Sequence, residues 1–434
     1  MMLDSFRYGL SHGFSGWRAL RATQRWASYE RAPRRELDRV RSAKLQHLLQ
    51  AAQRTPYWNE LLRDHNQLVA SNSAPLAQLP ILTKQTVRTQ GSRMLVNGAP
   101  PRGVTWSSTG GSTGEPLRIA RDAATSVAGA AARLRGFRWL GVRPGARLMA
   151  VKNYSRISWR GWLYCLVANI RVIDPIGQDQ GQGSEIIRRL RAFQPLCLDG
   201  YPTSLLKLAE LAEGGTPVEV PVIFATGEML YPAQRQKLAA TFSARVAVYY
   251  GCNEVSSLAY ECEHGRLHVS EEHVILETVD ANGQPVWEQP GRLLVTDLDN
   301  HVMPFLRYEV GDRGTLTREP CPCGRTLTVL QELQGRLQDV LQNARGDILP
   351  AIFFAGQFRQ LPGVRAYQLV QTSLDKVTIR YVVAGADAKT SIDSLCGAIT
   401  ARLGPQVQLQ RERCETIPLT PRGKMRLVMG LTPP

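Results

Sequence analysis

The sequence predicts an α/β protein with a large domain of mostly parallel strands, an added β subdomain and a small α+β domain at its C-terminal end. Its 434 residues are about three times the usual length of one domain. Hydrophobic residues make up 43% and charged residues 21%, which is typical of a folded globular chain. Between about residues 103 and 317, short apolar runs alternate with helix-length segments. That alternation favours a parallel sheet whose ligands bind at the carboxyl ends of the strands.

The N-terminal 90 residues are predicted to be helical. Apolar residues recur at helical spacing before Thr55-Pro56 interrupts the pattern, and the spacing then resumes. The residues concerned are Leu45, Leu48, Leu49, Ala52, Trp58, Leu61 and Leu62. We expect residues 1–90 to form a helical segment packed on the large domain.

Residues 91–335 are predicted to form the large domain. Its expected strands lie at 147–151, 170–173, 195–198, 220–224 and 246–250, and its expected helices at 122–139, 184–193, 203–213 and 231–241. From about 274 to 334, three apolar runs are separated by turn residues such as Asn282-Gly283. This pattern predicts an antiparallel β subdomain.

Residues 336–434 are predicted to form the small domain, which we expect to be mobile. Residues 377–383 favour a strand, residues 392–403 a helix, and residues 407–409 a short strand.

The chain is basic, with 53 Lys and Arg against 37 Asp and Glu, a net charge of +16. Such charge favours a nucleic acid, an anionic lipid or another polyanion as a partner without choosing among them. Near the N-terminus the arginines alternate with apolar residues as on an amphipathic helix: Arg7, Arg18, Arg21, Arg25, Arg31, Arg34, Arg35, Arg39 and Arg41. A solvated helix face, a membrane or partner surface, and a nucleic-acid contact all fit this pattern.

A transmembrane segment is not expected, because no apolar run approaches the ~18 to 20 residues that span a bilayer. Asp4 comes early and no long apolar core of a secretion signal follows it. We therefore expect a cytoplasmic protein.

The eight cysteines are too sparse for a disulfide framework. Cys262, His268, Cys321 and Cys323 together offer three thiolates and one imidazole, the donor set of a closed structural zinc site. His264 or Cys252 is an alternative fourth ligand. Buried free thiols and a redox pair are alternative interpretations.

Residues 107–116 read Ser-Ser-Thr-Gly-Gly-Ser-Thr-Gly-Glu-Pro. Three glycines among five hydroxyl residues allow backbone N–H groups and hydroxyls to surround a polyphosphate. The segment lacks the Gly-Lys-Ser/Thr end of a Walker loop. A flexible linker is the alternative.

At this point the sequence resembles the acyl-adenylate-forming enzymes. Thr109–Pro116 is similar to their phosphate loop, with Gly110 where serine is usual. Four further motifs follow in the family's order: Tyr249-Tyr-Gly-Cys-Asn-Glu254, Arg307-Tyr-Glu-Val-Gly-Asp312, Gly335-Arg-Leu-Gln-Asp339 and Thr420-Pro-Arg-Gly-Lys-Met425. The short length, Arg54–Trp58 and Leu79–Lys84 resemble the phenylacetate-CoA ligase branch and its capsular-polysaccharide-associated relatives, which also share the Cys/His pattern.

The resemblance implies a role for each motif. Lys424 is the expected catalytic cation, Glu254 a catalytic residue and Mg²⁺ ligand, and Gln338 the hinge. Tyr250 would stack on adenine, Asp312 would bind the ribose hydroxyls, and Arg336 would bind ribose or phosphate. The full set predicted to bind ATP or AMP is Thr109, Gly110, Gly111, Ser112, Thr113, Gly114, Gly227, Glu228, Tyr250, Gly251, Asn253, Asp312 and Arg336. Asn253 stands where threonine is common.

The resemblance therefore implies an ATP-dependent, AMP-forming ligase. It would activate a small carboxylic acid with ATP and Mg²⁺ and pass the acyl group to coenzyme A, a carrier-protein phosphopantetheine or an amine. Tyr154, Trp159 and Tyr201 near strand ends would line the acid site or serve only in packing. A non-catalytic or carrier-binding member of the same fold is one alternative. A zinc-containing nucleic-acid-binding protein is another, although no nucleic-acid-binding module is recognisable.

Overall fold

The computed structural model of the protein describes residues 2–63, 76–108, 117–151, 158–175, 182–336, 340–345, 348–350, 361–418 and 425–431. Helices within these ranges are α1 (Met2–Tyr29), α2 (Arg34–Gln53), α3 (Pro56–Arg63), α4 (Lys84–Gln90), α5 (Ala123–Arg138), α6 (Trp159–Val167), α7 (Gly183–Phe193), α8 (Pro202–Ala212), α9 (Pro232–Phe242) and α10 (Ala388–Leu403).

The strands follow in chain order. They are β1 (Thr105–Ser108), β2 (Arg118–Arg121), β3 (Leu148–Val151), β4 (Ile170–Ile173), β5 (Cys197–Gly200), β6 (Val222–Thr226), β7 (Arg245–Cys252), β8 (Ser256–Glu261), β9 (Leu267–Val269), β10 (Val274–Val279), β11 (Gly291–Asp297), β12 (Tyr308–Thr317), β13 (Val329–Arg336), β14 (Val340–Gln342), β15 (Ile348–Pro350), β16 (Val364–Ser373), β17 (Lys376–Val383), β18 (Gln408–Arg413) and β19 (Val428–Met429).

A sheet of eleven strands organises the larger part of the chain, in the order β10-β11-β12-β13-β9-β8-β7-β6-β5-β3-β4. Within this order, the five strands β4, β3, β5, β6 and β7 are parallel to one another. The sheet turns antiparallel at the β7–β8 pair. The α/β prediction is confirmed, and the predicted antiparallel strands continue the same sheet rather than forming a separate one.

The N-terminal helices begin and end where local chemistry dictates. Thr55 accepts a 3.1 Å bond from the Trp58 amide while Pro56 opens α3. Threonine is a favourable cap because its side-chain oxygen accepts a hydrogen bond from an otherwise unpaired amide of the first helical turn. Proline is favourable at the first helical position because the N–H that it lacks would have no partner within the helix. The indole of Trp58, fully buried, donates to the Pro304 carbonyl at 3.0 Å.

The chain divides into two compact units. The first comprises residues 1–227, 237–310 and 314–332, and the second residues 228–236, 311–313 and 333–434. In the second unit, β16 and β17 form an antiparallel hairpin in a four-stranded sheet ordered β18-β17-β16-β19. The apolar face of α10, including Ile392, Leu395 and Ile399, is buried in this unit's core. Among the described residues, no helix is both long and apolar enough to cross a bilayer.

Candidate functional site

The carboxyl ends of β6 and β7 bring together two of the predicted motifs. Thr226 and Tyr249 are partners in the parallel register, and the Thr226 hydroxyl donates to the Tyr249 carbonyl at 3.1 Å. Gly227 therefore follows β6 directly beside the strand that carries Tyr250 and Gly251. Gly227 has a φ of 76°, a left-handed conformation that favours glycine. This is the sheet edge at which open α/β folds bind ligands.

The close pairing of β7 with β8 explains Gly251. A Cβ atom on Gly251 would lie 2.2 Å from the Ser256 carbonyl oxygen. A larger residue would force the strands apart. Asn253 and Glu254 lie in the short connection between β7 and β8, and the Arg121 guanidinium donates to the Asn253 carbonyl at 2.5 Å. Glu254 thus lies in a turn between two strands and not at the start of a helix.

Glu254 is held by a residue that sequence reasoning missed. Its side chain is buried, and its Oε1 accepts a 3.2 Å hydrogen bond from the Tyr308 hydroxyl. Tyr308 is itself 1% exposed and belongs to the Arg307–Asp312 motif. The tyrosine was visible in that motif, but nothing in the sequence indicated that it reaches the glutamate 54 positions earlier.

Asp312 lies buried within β12, after Gly311 with a φ of 87°. Asp312 is therefore a strand residue rather than a turn residue. Arg307, at the start of the same motif, is a structural anchor. Its guanidinium donates to the carbonyls of Leu79 and Gly283, each at 2.7 Å. These hydrogen bonds hold the segment Leu79–Lys84 beside β12.

Several predicted site residues lie outside the described part of the chain: Thr109, Gly110, Gly111, Ser112, Thr113, Gly114, Gln338, Lys424 and Tyr154. Arg336 is the last residue of β13. Glu228 follows Gly227 directly. Trp159 opens α6 and is 70% exposed. Their predicted roles therefore stay predictions.

The predicted zinc ligands converge. The Sγ atoms of Cys262 and Cys321 are 3.8 Å apart, and Cys323 Sγ lies 3.3 Å from His268 Nε2. All four ligand atoms lie within 4.8 Å of one another, and all four residues are buried. Thiolates bound tetrahedrally to zinc at ~2.3 Å lie about 3.8 Å apart, so the spacing fits a zinc ion.

The surroundings of this cluster suit a metal. His268 Nδ1 lies 3.2 Å from the Leu327 carbonyl, so a proton on Nδ1 leaves Nε2 free to bind an ion. Burial lowers the pKa of His268 to about 4 and keeps the ring neutral. Burial opposes ionisation of Cys323, but hydrogen bonds from Arg325 lower its pKa below the ordinary thiol value.

The alternative ligands are not part of the cluster. Among the described residues, the group contains His268 and neither His264 nor Cys252. The backbone amide of His264, an exposed residue, donates to Cys262 Sγ at 3.4 Å. None of the eight cysteines, all within the described ranges, forms a disulfide.

A buried charge network that the sequence did not reveal lies along residues 271–273. Glu271 forms a bidentate pair with Arg34, both bonds at 2.7 Å, and Glu272 pairs with the fully buried Arg135. Arg34 and Arg41 were expected on a solvated or partner-binding helix face. Instead both contact Glu271, which lies in the connection between β9 and β10.

His273, Asp297 and Asp299 form a second group with ligand atoms close enough for a metal. Lys44 Nζ, however, lies 2.7 Å from Asp299, and His273 Nδ1 lies 2.8 Å from the same carboxylate. The Lys44 ammonium already occupies the place where a cation would neutralise the acids. We assign this group to the ion-pair network that supports Val255, whose carbonyl lies 3.3 Å from His273 Nε2.

The fold is that of the adenylate-forming enzymes. A solved structure of 2-hydroxyisobutyryl-CoA ligase with R3-HIB-AMP superposes with a TM-score of 0.72 at 20% identity, covering 93% of this chain and 91% of that one. The amide bond synthetase McbA of Marinactinospora thermotolerans superposes with a TM-score of 0.52 at 19% identity over 75% and 67% of the two chains.

Sequence comparison finds relatives in the predicted branch. Residues 341–430 match the CapK C-terminal domain family. Protein CapK of Staphylococcus aureus is 24% identical over 86% of this chain and 84% of its own length. A phenylacetate-coenzyme A ligase of Thermus thermophilus is 28% identical over 53% of this chain and 54% of its own. The predicted resemblance is confirmed: the chain is similar to CapK over most of its length and to a phenylacetate-coenzyme A ligase over about half of it.

Proposed function

We propose that the protein is an ATP-dependent, AMP-forming ligase that activates a carboxylic acid. The observation that carries the proposal is the buried Glu254, held by Tyr308 at the sheet edge beside Gly227 and Tyr250. The names of its relatives include coenzyme A ligases and an amide bond synthetase. They support an acid-activating reaction.

The chemistry assigns a task to each motif. A carboxylate oxygen of the acid attacks the α-phosphorus of ATP, the bond to pyrophosphate breaks, and an acyl-adenylate forms. Glu254 offers the hard oxygen ligand that Mg²⁺ prefers. Residues 109–114 would hold the phosphates, and Lys424 would neutralise charge between the carboxylate and the α-phosphate. Asp312 would bind the ribose hydroxyls, with Tyr250 against adenine.

In a second step the acceptor attacks the acyl carbon and AMP leaves. A thiol, as in coenzyme A or carrier-protein phosphopantetheine, gives a thioester, and an amine gives an amide. We propose a thiol acceptor, because the phenylacetate-coenzyme A ligase is a sequence relative and the net charge of +16 suits an acidic carrier or the phosphates of coenzyme A. A rotation about Gln338 would admit this acceptor.

We further propose that Cys262, His268, Cys321 and Cys323 hold a structural zinc ion. The ion would join the Cys321–Cys323 segment to the β8–β9 hairpin. No step of the reaction passes through it, since all four protein ligands leave no open position. A cytoplasmic location remains part of the proposal.

The experiment is acid-dependent pyrophosphate release from Mg-ATP, measured over aryl, fatty and amino acids. Glu254→Gln and Lys424→Ala should each lower the rate about 10²- to 10³-fold. Glu36→Gln, an exposed glutamate on α2, is the matched control and should leave the rate unchanged. Product analysis with coenzyme A and, separately, with a panel of primary amines then distinguishes a thioester product from an amide product.

Release that needs one acid and both residues would establish adenylation and identify the substrate. Folded protein that releases no pyrophosphate with any acid, and binds no ATP, would favour the non-catalytic alternative. A salt-dependent gel shift of nucleic acid by a protein that shows no ligase activity would favour the nucleic-acid alternative.

A further inference from the structure

Two helices of the first unit, α1 and α6, expose large apolar side chains to solvent. On α1 the exposed fractions of Phe6, Leu10, Phe14 and Trp17 range from 39% to 79%. On α6 those of Trp159, Trp162, Leu163 and Leu166 range from 44% to 70%. A concentration of exposed aromatic and aliphatic side chains of this kind marks an interaction site.

The two sets form one continuous surface. The Tyr164 hydroxyl on α6 lies 2.7 Å from Nε2 of His12 on α1, and the His12 ring stacks on Tyr8 with centroids 4.1 Å apart. A kink at Gly13, with a φ of 57°, allows Phe6 to reach Trp17, their ring centroids 6.1 Å apart. We name this region the α1–α6 surface.

The α1–α6 surface is strongly cationic. Helix α1 carries Arg7, Arg18, Arg21 and Arg25 and a single acid, Asp4, and α6 contains no acid. All four arginines are exposed.

A groove of about 960 Å³ opens beside these residues. Phe6, Trp17 and Leu20 supply apolar side chains to its wall, and the exposed Arg138 and Arg143 add two cations. The groove thus combines an apolar lining with positive charge.

We propose that the α1–α6 surface binds the surface of an anionic lipid bilayer. The tryptophan and phenylalanine side chains would enter the boundary between headgroups and acyl chains, where such rings are favoured. The arginines would meet the lipid phosphates. A second copy of the chain suits this surface less well, because its arginines would face the same arginines with only Asp4 on the two helices to pair with them.

The test uses the full-length chain and sedimentation with phosphatidylcholine vesicles, with or without phosphatidylglycerol. Wild-type protein should sediment with the anionic vesicles and should be released by 0.5 M salt, about the level at which charge is strongly screened. Phe14→Ser/Trp162→Ser and Arg18→Glu/Arg21→Glu should each weaken binding about tenfold or more. A blue shift of tryptophan fluorescence on anionic vesicles should accompany binding.

Matched controls alter the same chemistry elsewhere. Trp287→Ser removes another exposed tryptophan, and Arg35→Glu/Arg39→Glu reverses two exposed arginines on α2. Both controls should bind as wild type does. Equal binding to neutral vesicles, no binding by folded wild-type protein, or equal loss in the controls would overturn the proposal. A dimer that forms without lipid and disappears in Phe14→Ser/Trp162→Ser, with no vesicle binding, would assign the surface to a second copy.

Discussion

The Tyr308 hydroxyl donates a 3.2 Å hydrogen bond to Oε1 of Glu254, and both side chains are buried. This bond joins the Tyr249–Glu254 motif, at the end of β7, to the Arg307–Asp312 motif, at the start of β12. A carboxylate that binds Mg²⁺ gains from a partner that fixes its orientation. We therefore expect Tyr308 to be a positioning residue for Glu254.

Tyr308→Phe should test that role. The substitution removes one hydroxyl from a buried site, and we expect pyrophosphate release to fall about tenfold, less than for Glu254→Gln, because the ligand itself remains. The Mg²⁺ concentration that supports half-maximal rate should rise, an effect that loss of packing alone would not produce. Tyr57→Phe, a tyrosine on α3, is the control. An unchanged Mg²⁺ dependence would contradict the positioning role.

Removal of the zinc ion should destabilise the first unit. We expect about one zinc per chain by elemental analysis, and Cys323→Ser or a strong chelator should lower the melting temperature by several degrees. Cys414→Ser alters a cysteine outside the cluster and should keep both the zinc and the melting temperature. If the protein purifies without zinc and its melting temperature does not change when zinc is added, the thiols act only in packing.

The Glu271–Arg34 pair predicts a pH dependence of stability. Burial opposes ionisation of Glu271, but the hydrogen bonds from Arg34, with Arg41 and the Thr328 amide, lower its pKa below the ordinary 4.5. Above pH 4.5 the stabilisation is complete. Below pH 4.5, Glu271 becomes protonated in the unfolded chain before it does in the folded protein. The stabilisation therefore declines as the pH falls, and it is lost once the pH is below the folded-state pKa.

Glu271→Gln measures this contribution. Loss of a buried charged partner costs about 3 kcal/mol, so the melting temperature at pH 7 should fall by several degrees. The difference from wild type should shrink below pH 4.5. Glu36→Gln on the same helix as Arg34 should show little difference at either pH. If the difference in melting temperature between Glu271→Gln and wild type grows on acidification instead, the pKa of Glu271 is not lowered in the folded protein.

Gly251 predicts a steric effect. Gly251→Ala should lower both the melting temperature and the pyrophosphate rate, because its Cβ would meet the Ser256 carbonyl at 2.2 Å. Gly397→Ala provides the matched control, since a Cβ at that position in α10 meets nothing within 4 Å. It should be neutral or stabilising by about 0.5 to 1 kcal/mol. Similar losses in both variants, measured by thermal unfolding, would contradict the close-approach explanation.

Local pattern predicted most of the architecture. The expected strand at 170–173 matches β4, and the helix expected at 122–139 matches α5 within one residue at each end. These elements were predictable because apolar periodicity and caps such as Asp122, which accepts a 2.8 Å bond from the Thr125 amide, act over a few residues. The convergence of the four Cys/His side chains was likewise predictable from their donor chemistry.

Contacts between distant parts of the chain followed no local pattern. Tyr308 reaches Glu254, Arg34 reaches Glu271 across 237 positions, and Lys44 forms an ion pair with Asp299. Motifs and periodicity reveal which residues carry chemistry and which segments are buried, because residue type and spacing set both. Which charged groups pair is decided by the folded sheet, since burial makes an unpaired charge costly only after distant segments have packed together.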